Sequence, residues 1–212
     1  MGLFELNIPE AQTNLPQENT LRDKSAAKAL QLIDSHAKKV ATIKANIPDI
    51  PKEKECIFVW TTNQFNTVSF LLWIIEHTGP IQELTLSTYS IGANCINALV
   101  KLMDTGQILK SHLYVSTYMQ RINAKCVDLL RSYASSRPLL SIGYGFNHSK
   151  ILLATTQAGH HLVITGSGNF AENARNEQYT ICNDKRIYDF YYSCIREDNP
   201  DAGTERGTDE VR

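Results

Sequence analysis

From residue 56 onward, apolar runs of strand length alternate with stretches of helical period. Cys56-Ile57-Phe58-Val59-Trp60 reads as a short buried strand. Thr62-Asn63 can cap a helix that runs to about His77, where Gly79-Pro80 stops it. Leu84–Tyr89 is a strand, and Ala93–Met103 a helix ending near Gly106. Leu109–Val115 is a strand and Met119–Tyr133 a helix. Leu139–Ile142 is a strand leading into Gly143-Tyr144-Gly145. Ile151-Leu152-Leu153-Ala154 continues a strand that begins at His148. Gln157-Ala158-Gly159 turns it, and Leu162-Val163-Ile164-Thr165 returns as the second arm of a hairpin. Glu177–Cys182 is a further strand and Lys185 to about Ile195 a last helix. Alternation at this spacing predicts an α/β fold, a mixed sheet flanked by helices.

The two ends of the chain follow other patterns. Residues 1–18 have sparse hydrophobics among Pro, Asn and Gln. From Thr20 to about Ala45 a helical stripe appears (Ala27, Leu30, Ile33, Ala37, Val40), and Pro48 and Pro51 then form a linker. Pro200, Gly203 and Gly207 with many charges predict a disordered acidic tail. The expected organisation is an irregular segment and helical arm over 1–50, one domain over 51–198, and the tail over 199–212.

Composition changes this picture little. The 42% apolar and 20% charged residues are those of a globular protein. The longest apolar run, Phe70–Ile75, is far short of the ~20 residues that span a bilayer, so no membrane partner is expected. The start Met1-Gly2-Leu3-Phe4-Glu5 has no basic region or long apolar core of a signal peptide. Leu6 argues against myristoylation of Gly2. Cys56, Cys95, Cys126, Cys182 and Cys194 are odd in number and lack metal spacing. They read as buried free thiols in a reducing, cytoplasmic setting.

The formal net charge of −1 advertises no polyanion partner. Its distribution says more. Residues 101–150 hold seven basic residues (Lys101, Lys110, Arg121, Lys125, Arg131, Arg137, Lys150) against two acidic (Asp104, Asp128). A basic stretch of this kind suits a phosphate backbone.

The candidate chemistry lies on the hairpin. If His148 and Lys150 are strand residues, two apart, they share a face. The hairpin's return brings Gly166-Ser167-Gly168-Asn169-Phe170 back beside them. The cluster then holds an imidazole, an ammonium, a hydroxyl and an amide. Lys150, Ser167 and Asn169 can bind phosphate oxygens, while His148 attacks or moves protons. No group of carboxylates suggests a metal site, and no cofactor is expected.

His148-Ser149-Lys150, Gly166-Ser167-Gly168-Asn169-Phe170 and Glu177 together resemble the phospholipase D superfamily. In that family the motif is His-x-Lys, four residues, Asp, and then Gly-Ser-x-x-Asn, or Gly-Ser-x-Asn-Phe in its small nucleases. Two features depart from it: Thr155 stands at the Asp, and the hairpin turn is about four residues longer. The resemblance implies a phospholipase D-like half-domain and metal-independent phosphodiester cleavage, with nucleic acid as the substrate. It casts His148 as nucleophile, Lys150 and Asn169 as phosphate ligands, and Glu177 as the group that orients His148. Gly166, Ser167 and Ser149 complete the substrate-binding set. One imidazole cannot be nucleophile and protonated acid in the same step. A chain with a single motif therefore implies a homodimer with two His148 side chains at its axis. A second class of function is a non-catalytic, dimeric nucleic-acid-binding or scaffold protein that keeps the fold.

Overall fold

The computed structural model describes residues 41–62, 67–171 and 176–197. Seven strands form one mixed sheet: β1 (Cys56–Thr62), β2 (Ile81–Thr88), β3 (Ile108–Ser116), β4 (Leu140–Gly145), β5 (Lys150–Thr156), β6 (His161–Gly166) and β7 (Asn176–Asn183). Their order across the sheet is β1-β7-β6-β5-β2-β3-β4. β2, β3 and β4 run parallel, and every other neighbouring pair is antiparallel. The helices are α1 (41–46), α2 (Thr67–Thr78), α3 (Ala93–Asp104), α4 (Met119–Ile122), α5 (Ala124–Ser135) and α6 (Lys185–Glu197). The predicted mixed sheet flanked by helices is what forms.

Strand alternation explains the two layers. Leu152, Ala154, Leu162 and Ile164 join the larger core cluster with residues of α2, α3 and α5. Their neighbours Leu153 and Val163 face the other way and pack with Tyr188 and Ile195 of α6. Among the described residues, α1 to α5 therefore pack on one face and α6 covers part of the other. The hairpin forms as expected, with Ile151 opposite Thr165 and a turn in which Gly159 takes φ 87°.

Three expectations need correction. The single helix over 119–133 is two helices, because Asn123 (φ −151°, ψ 61°) leaves helical geometry and its side chain accepts from Cys126 N at 3.4 Å to start α5. The cysteines are not all free thiols. Cys56 and Cys182 are opposite partners in the β1–β7 register, with Cα atoms 4.2 Å apart and their sulfurs bonded. An antiparallel pairing brings together residues 126 apart in sequence. Cys126 and Cys194 lie outside this bond as thiols, Cys126 buried and Cys194 half-buried. A disulfide belongs to oxidising settings, so the argument from free thiols to a reducing compartment loses its basis. Finally, β5 starts at Lys150, and His148 lies in the loop before it.

The expected boundary at residue 50 falls inside packed structure. Ile43 and Ile47 are buried in the main cluster. Trp73 Nε1 donates to Ile47 O at 3.1 Å, and His77 Nε2 lies 2.9 Å from Pro48 O. The rest of the expected arm, and the acidic tail, lie outside the described residues.

Candidate active site

Antiparallel pairing brings several chain segments to one end of the sheet. Lys150 opposes Thr88, Ile151 opposes Thr165, Gly166 opposes Tyr179, and Thr61 opposes Glu177. The C-terminal ends of β2, β3 and β4 open at this same end, where ligands of open α/β sheets bind.

The loop carrying His148 is built on Asn147, a residue outside the sequence motif. Asn147 is buried, and its Nδ2 donates to Ser87 Oγ at 2.9 Å and Tyr114 O at 2.9 Å. Its Oδ1 accepts from Ser149 N at 2.9 Å and Ser149 Oγ at 2.7 Å. Short polar side chains that bond backbone two residues on favour turns over strands. The turn holds the backbone out of β5 and leaves His148 exposed. The Asn-His-Ser sequence is the one local signal for it. Ser149 spends its hydroxyl on Asn147 within this network.

Lys150 reaches back to the same loop. Its Nζ donates to His148 O at 2.7 Å and lies 3.2 Å from His148 Nδ1. Partial burial pulls the Lys150 pKa below its ordinary value, and the Glu177 charge works against that fall.

Gly166 has a packing reason. A Cβ there would come within 2.4 Å of the Tyr179 ring and 2.5 Å of Gln178 O. Ser167 N then donates to Gln178 O at 3.1 Å, and Gln178 N donates to Ser167 Oγ at 3.1 Å. The Ser167 hydroxyl donates to the Glu177 carboxylate. Among the described residues, Glu177 therefore meets Ser167 rather than His148. Asn169 is half-buried beside Phe170, which anchors its loop. Phe170 is in the core, its N–H points to Thr88 Oγ1 at 3.5 Å, and its carbonyl accepts from Gly92 N at 2.9 Å. Thr88 is the partner of Lys150, so this anchor brings the Asn169 loop to the lysine's strand pair.

Thr155, at the family's Asp position, is elsewhere. It sits five residues along β5 from Lys150, roughly 16 Å at ~3.3 Å per residue, and on the opposite face. It lies on the α6 side, where burial pushes the Tyr188 pKa up and Thr155 works against that rise.

Aromatic side chains border the site, and no sequence motif singles them out. Tyr89 lies 4.8 Å from the His148 ring, with Lys150 Nζ 5.6 Å over its own ring. Tyr118 stacks on Tyr89 at 5.6 Å, and the Arg121 guanidinium lies 5.7 Å over Tyr118. No group of three or more His, Cys, Asp or Glu suited to a metal ion occurs among the described residues. None of the described helices is long and apolar enough to cross a membrane.

No family model matches the sequence, and no curated protein sequence matches it. Solved structures do. Nuc, a phospholipase D family member from Salmonella typhimurium, is 15% identical with a TM-score of 0.50, the match covering 68% of this chain and 93% of Nuc. Polyphosphate kinase from Porphyromonas gingivalis is 16% identical with a TM-score of 0.52, covering 73% of this chain but only 27% of the kinase. At these identities the likeness establishes the fold: the chain has the mixed α/β fold seen in the phospholipase D family.

Proposed function

We propose that this chain is a metal-independent phosphodiesterase that cleaves nucleic acid through a phosphohistidine in a homodimeric site. The observation that carries it is the contact of Lys150 Nζ with the exposed His148 at the sheet end that also holds Ser167, Glu177 and the Asn169 loop. A phosphodiester there would meet cations from Lys150 and an amide from Asn169. These groups stabilise the charge that grows on the non-bridging oxygens.

The reaction divides between two imidazoles. His148 Nε2 of one copy attacks phosphorus, and the bond to the leaving oxygen breaks. That oxygen takes its proton from His148 of a second copy. The second imidazole then removes a proton from water, the oxygen attacks phosphorus, and the N–P bond breaks. Both side chains return to their starting states.

The contact between Lys150 and His148 adds a step. An ammonium donating to Nδ1 leaves the imidazole proton on Nε2, the wrong tautomer for attack. Phosphate competes for Lys150, and its departure frees Nδ1 to carry the proton. Glu177 takes a supporting role here, holding Ser167 and favouring the charged lysine.

The non-catalytic reading draws its force from Thr155, which lies away from this end of β5. Assays on bis(p-nitrophenyl) phosphate and on oligonucleotides, with EDTA and with Mg²⁺, test the proposal. Turnover in EDTA, a covalent phospho-adduct, and twice the chain mass by light scattering are expected. Full loss in EDTA restored by Mg²⁺, or a catalytically active monomer, would overturn it. Binding of nucleic acid without any turnover would leave the binding-module reading in its place.

A further inference from the structure

The stack beside His148 has a direction. It begins at the imidazole, passes through Tyr89 and Tyr118, and ends at Arg121, which is exposed. Tyr118 is itself 42% exposed. The three contributing segments follow β2, β3 and β4, so they meet only because those strands lie side by side. Phe146 is fully exposed, and its neighbour Gly145 pairs with Ser116, two residues before Tyr118. Tyr89 and Tyr118 stack nearly parallel, at 23° between planes. Phe146 and Tyr118 leave ring surface in water, and Tyr118 is joined to His148 through Tyr89.

We propose that Tyr118, Arg121 and Phe146 form a base-stacking track that makes single-stranded nucleic acid the preferred ligand of this site. The inference rests on the phosphodiester reading of His148 and Lys150. With a phosphate at Lys150, the flanking nucleotide extends along the stack. Its base lies against the exposed Tyr118 and Phe146 rings or the Arg121 guanidinium plane, and Arg121 also neutralises the next phosphate. A duplex keeps its bases paired and cannot offer these faces, whereas a single strand offers one at every step. Stacking reads any base, so the track selects strandedness rather than sequence.

Binding by the full chain carrying His148→Ala separates this inference from the catalytic reading, since it needs no turnover. Fluorescein-labelled 12-mers are titrated by anisotropy as a single strand, as a duplex, and as the same strand with abasic sites. The single strand should bind at least about tenfold tighter than the abasic strand, in line with the typical effect of one stacked base. The abasic comparison alters only the ligand, so no variant has to fold for it. Adding Tyr118→Ala should weaken single-strand binding about tenfold and leave abasic binding unchanged, while Tyr118→Phe retains affinity. Equal affinity for base-bearing and abasic strands would overturn the track. So would preference for the duplex, or tighter binding to anionic phosphatidylglycerol vesicles than to the single strand. Loss of the dimer in Tyr118→Ala by light scattering would instead make these rings a self-association surface and overturn it too. If wild type turns over no phosphodiester yet shows the abasic discrimination, the track stands and the catalytic reading falls.

Discussion

The two ends of the β5–β6 hairpin carry histidines of opposite character. At one end His148 is exposed on a loop, with the Tyr89 ring and Lys150 Nζ against its own ring among the described residues. At the other end, His160 Nδ1 accepts from Asn183 Nδ2 at 3.1 Å, and the His161 ring packs on Tyr188 at 5.4 Å. Asn183 also donates to Pro51 O at 3.0 Å and accepts from His161 N at 3.2 Å. The far end spends its polar groups on holding strands and loops together. The near end has the positioning bonds under its loop, in Asn147, and leaves the His148 ring exposed. Residue type does not separate these imidazoles; what holds each one does.

The sharpest way to break this comparison is His148→Ala. On the proposed reading it lowers turnover by on the order of a thousandfold or more, because nucleophile and acid are lost together. Its melting temperature should stay close to wild type, since the ring is exposed and fills no core. Steady-state assay and calorimetry on the same preparation check both halves. A clear loss of stability with most activity retained would make His148 a structural residue like those at the far end.

Much of the hairpin is legible in the sequence. Apolar runs and the glycine turn mark both strands and their pairing, because these signals are local. The loop form of His148 is not legible, since it depends on Asn147 reaching Ser87 and Tyr114, 60 and 33 residues away. The bond between Cys56 and Cys182 is hidden for the same reason. Tyr89 and Tyr118 meet through the β2–β3 pairing, which no local pattern encodes. Thr155 is different. An odd spacing of five from Lys150 already puts the two on opposite faces of a strand, so its remoteness is readable from the motif alone.

A third histidine sharpens the contrast through pH. His112 on β3 is 4% exposed, its Nδ1 lies 2.9 Å from Ser141 Oγ, and its Nε2 is buried without a partner among the described residues. Burial, followed by the Arg196 charge, pushes its pKa down from 6.5 to about 4. The folded state therefore holds the ring neutral, while the unfolded chain takes up a proton first as pH falls. Stability is full above about pH 6.5 and is lost as pH falls toward 4, by ~1.4 kcal/mol per unit and ~3 kcal/mol in all. Urea unfolding at pH 7 and pH 5 should show about 2 kcal/mol lost in wild type. His112→Gln should flatten that difference, and an unchanged slope in the variant would remove His112 as its source.

Asn183→Ala probes the far end directly. It leaves the Pro51 carbonyl and the His161 N–H without their partners near a buried position. A cost of about 2 kcal/mol is expected, or roughly 4–8 °C in melting temperature for a domain of this size. Turnover at the other end of the sheet should be unchanged when assayed well below the melting point. A fall in activity with the melting temperature preserved would show that the two ends are not independent.

The smallest effect is expected of His160→Ala, the counterpart of the first substitution. His160 contributes one acceptor, Nδ1, to Asn183 Nδ2, and that amide keeps its bond to Pro51 O in the variant. The ring is half-buried, so water can replace it. The loss should be about 1 kcal/mol, a shift of roughly 2–4 °C. Activity should stay within experimental error of wild type, because the ring lies about 20 Å along the hairpin from Lys150. Double-mutant cycles make the comparison quantitative. His160→Ala and Asn183→Ala share a bond and should be less than additive in stability, whereas His160→Ala and His148→Ala should be additive. Strong coupling in the second pair would mean the hairpin transmits changes from one end to the other, and the division between a holding end and a reacting end would fail.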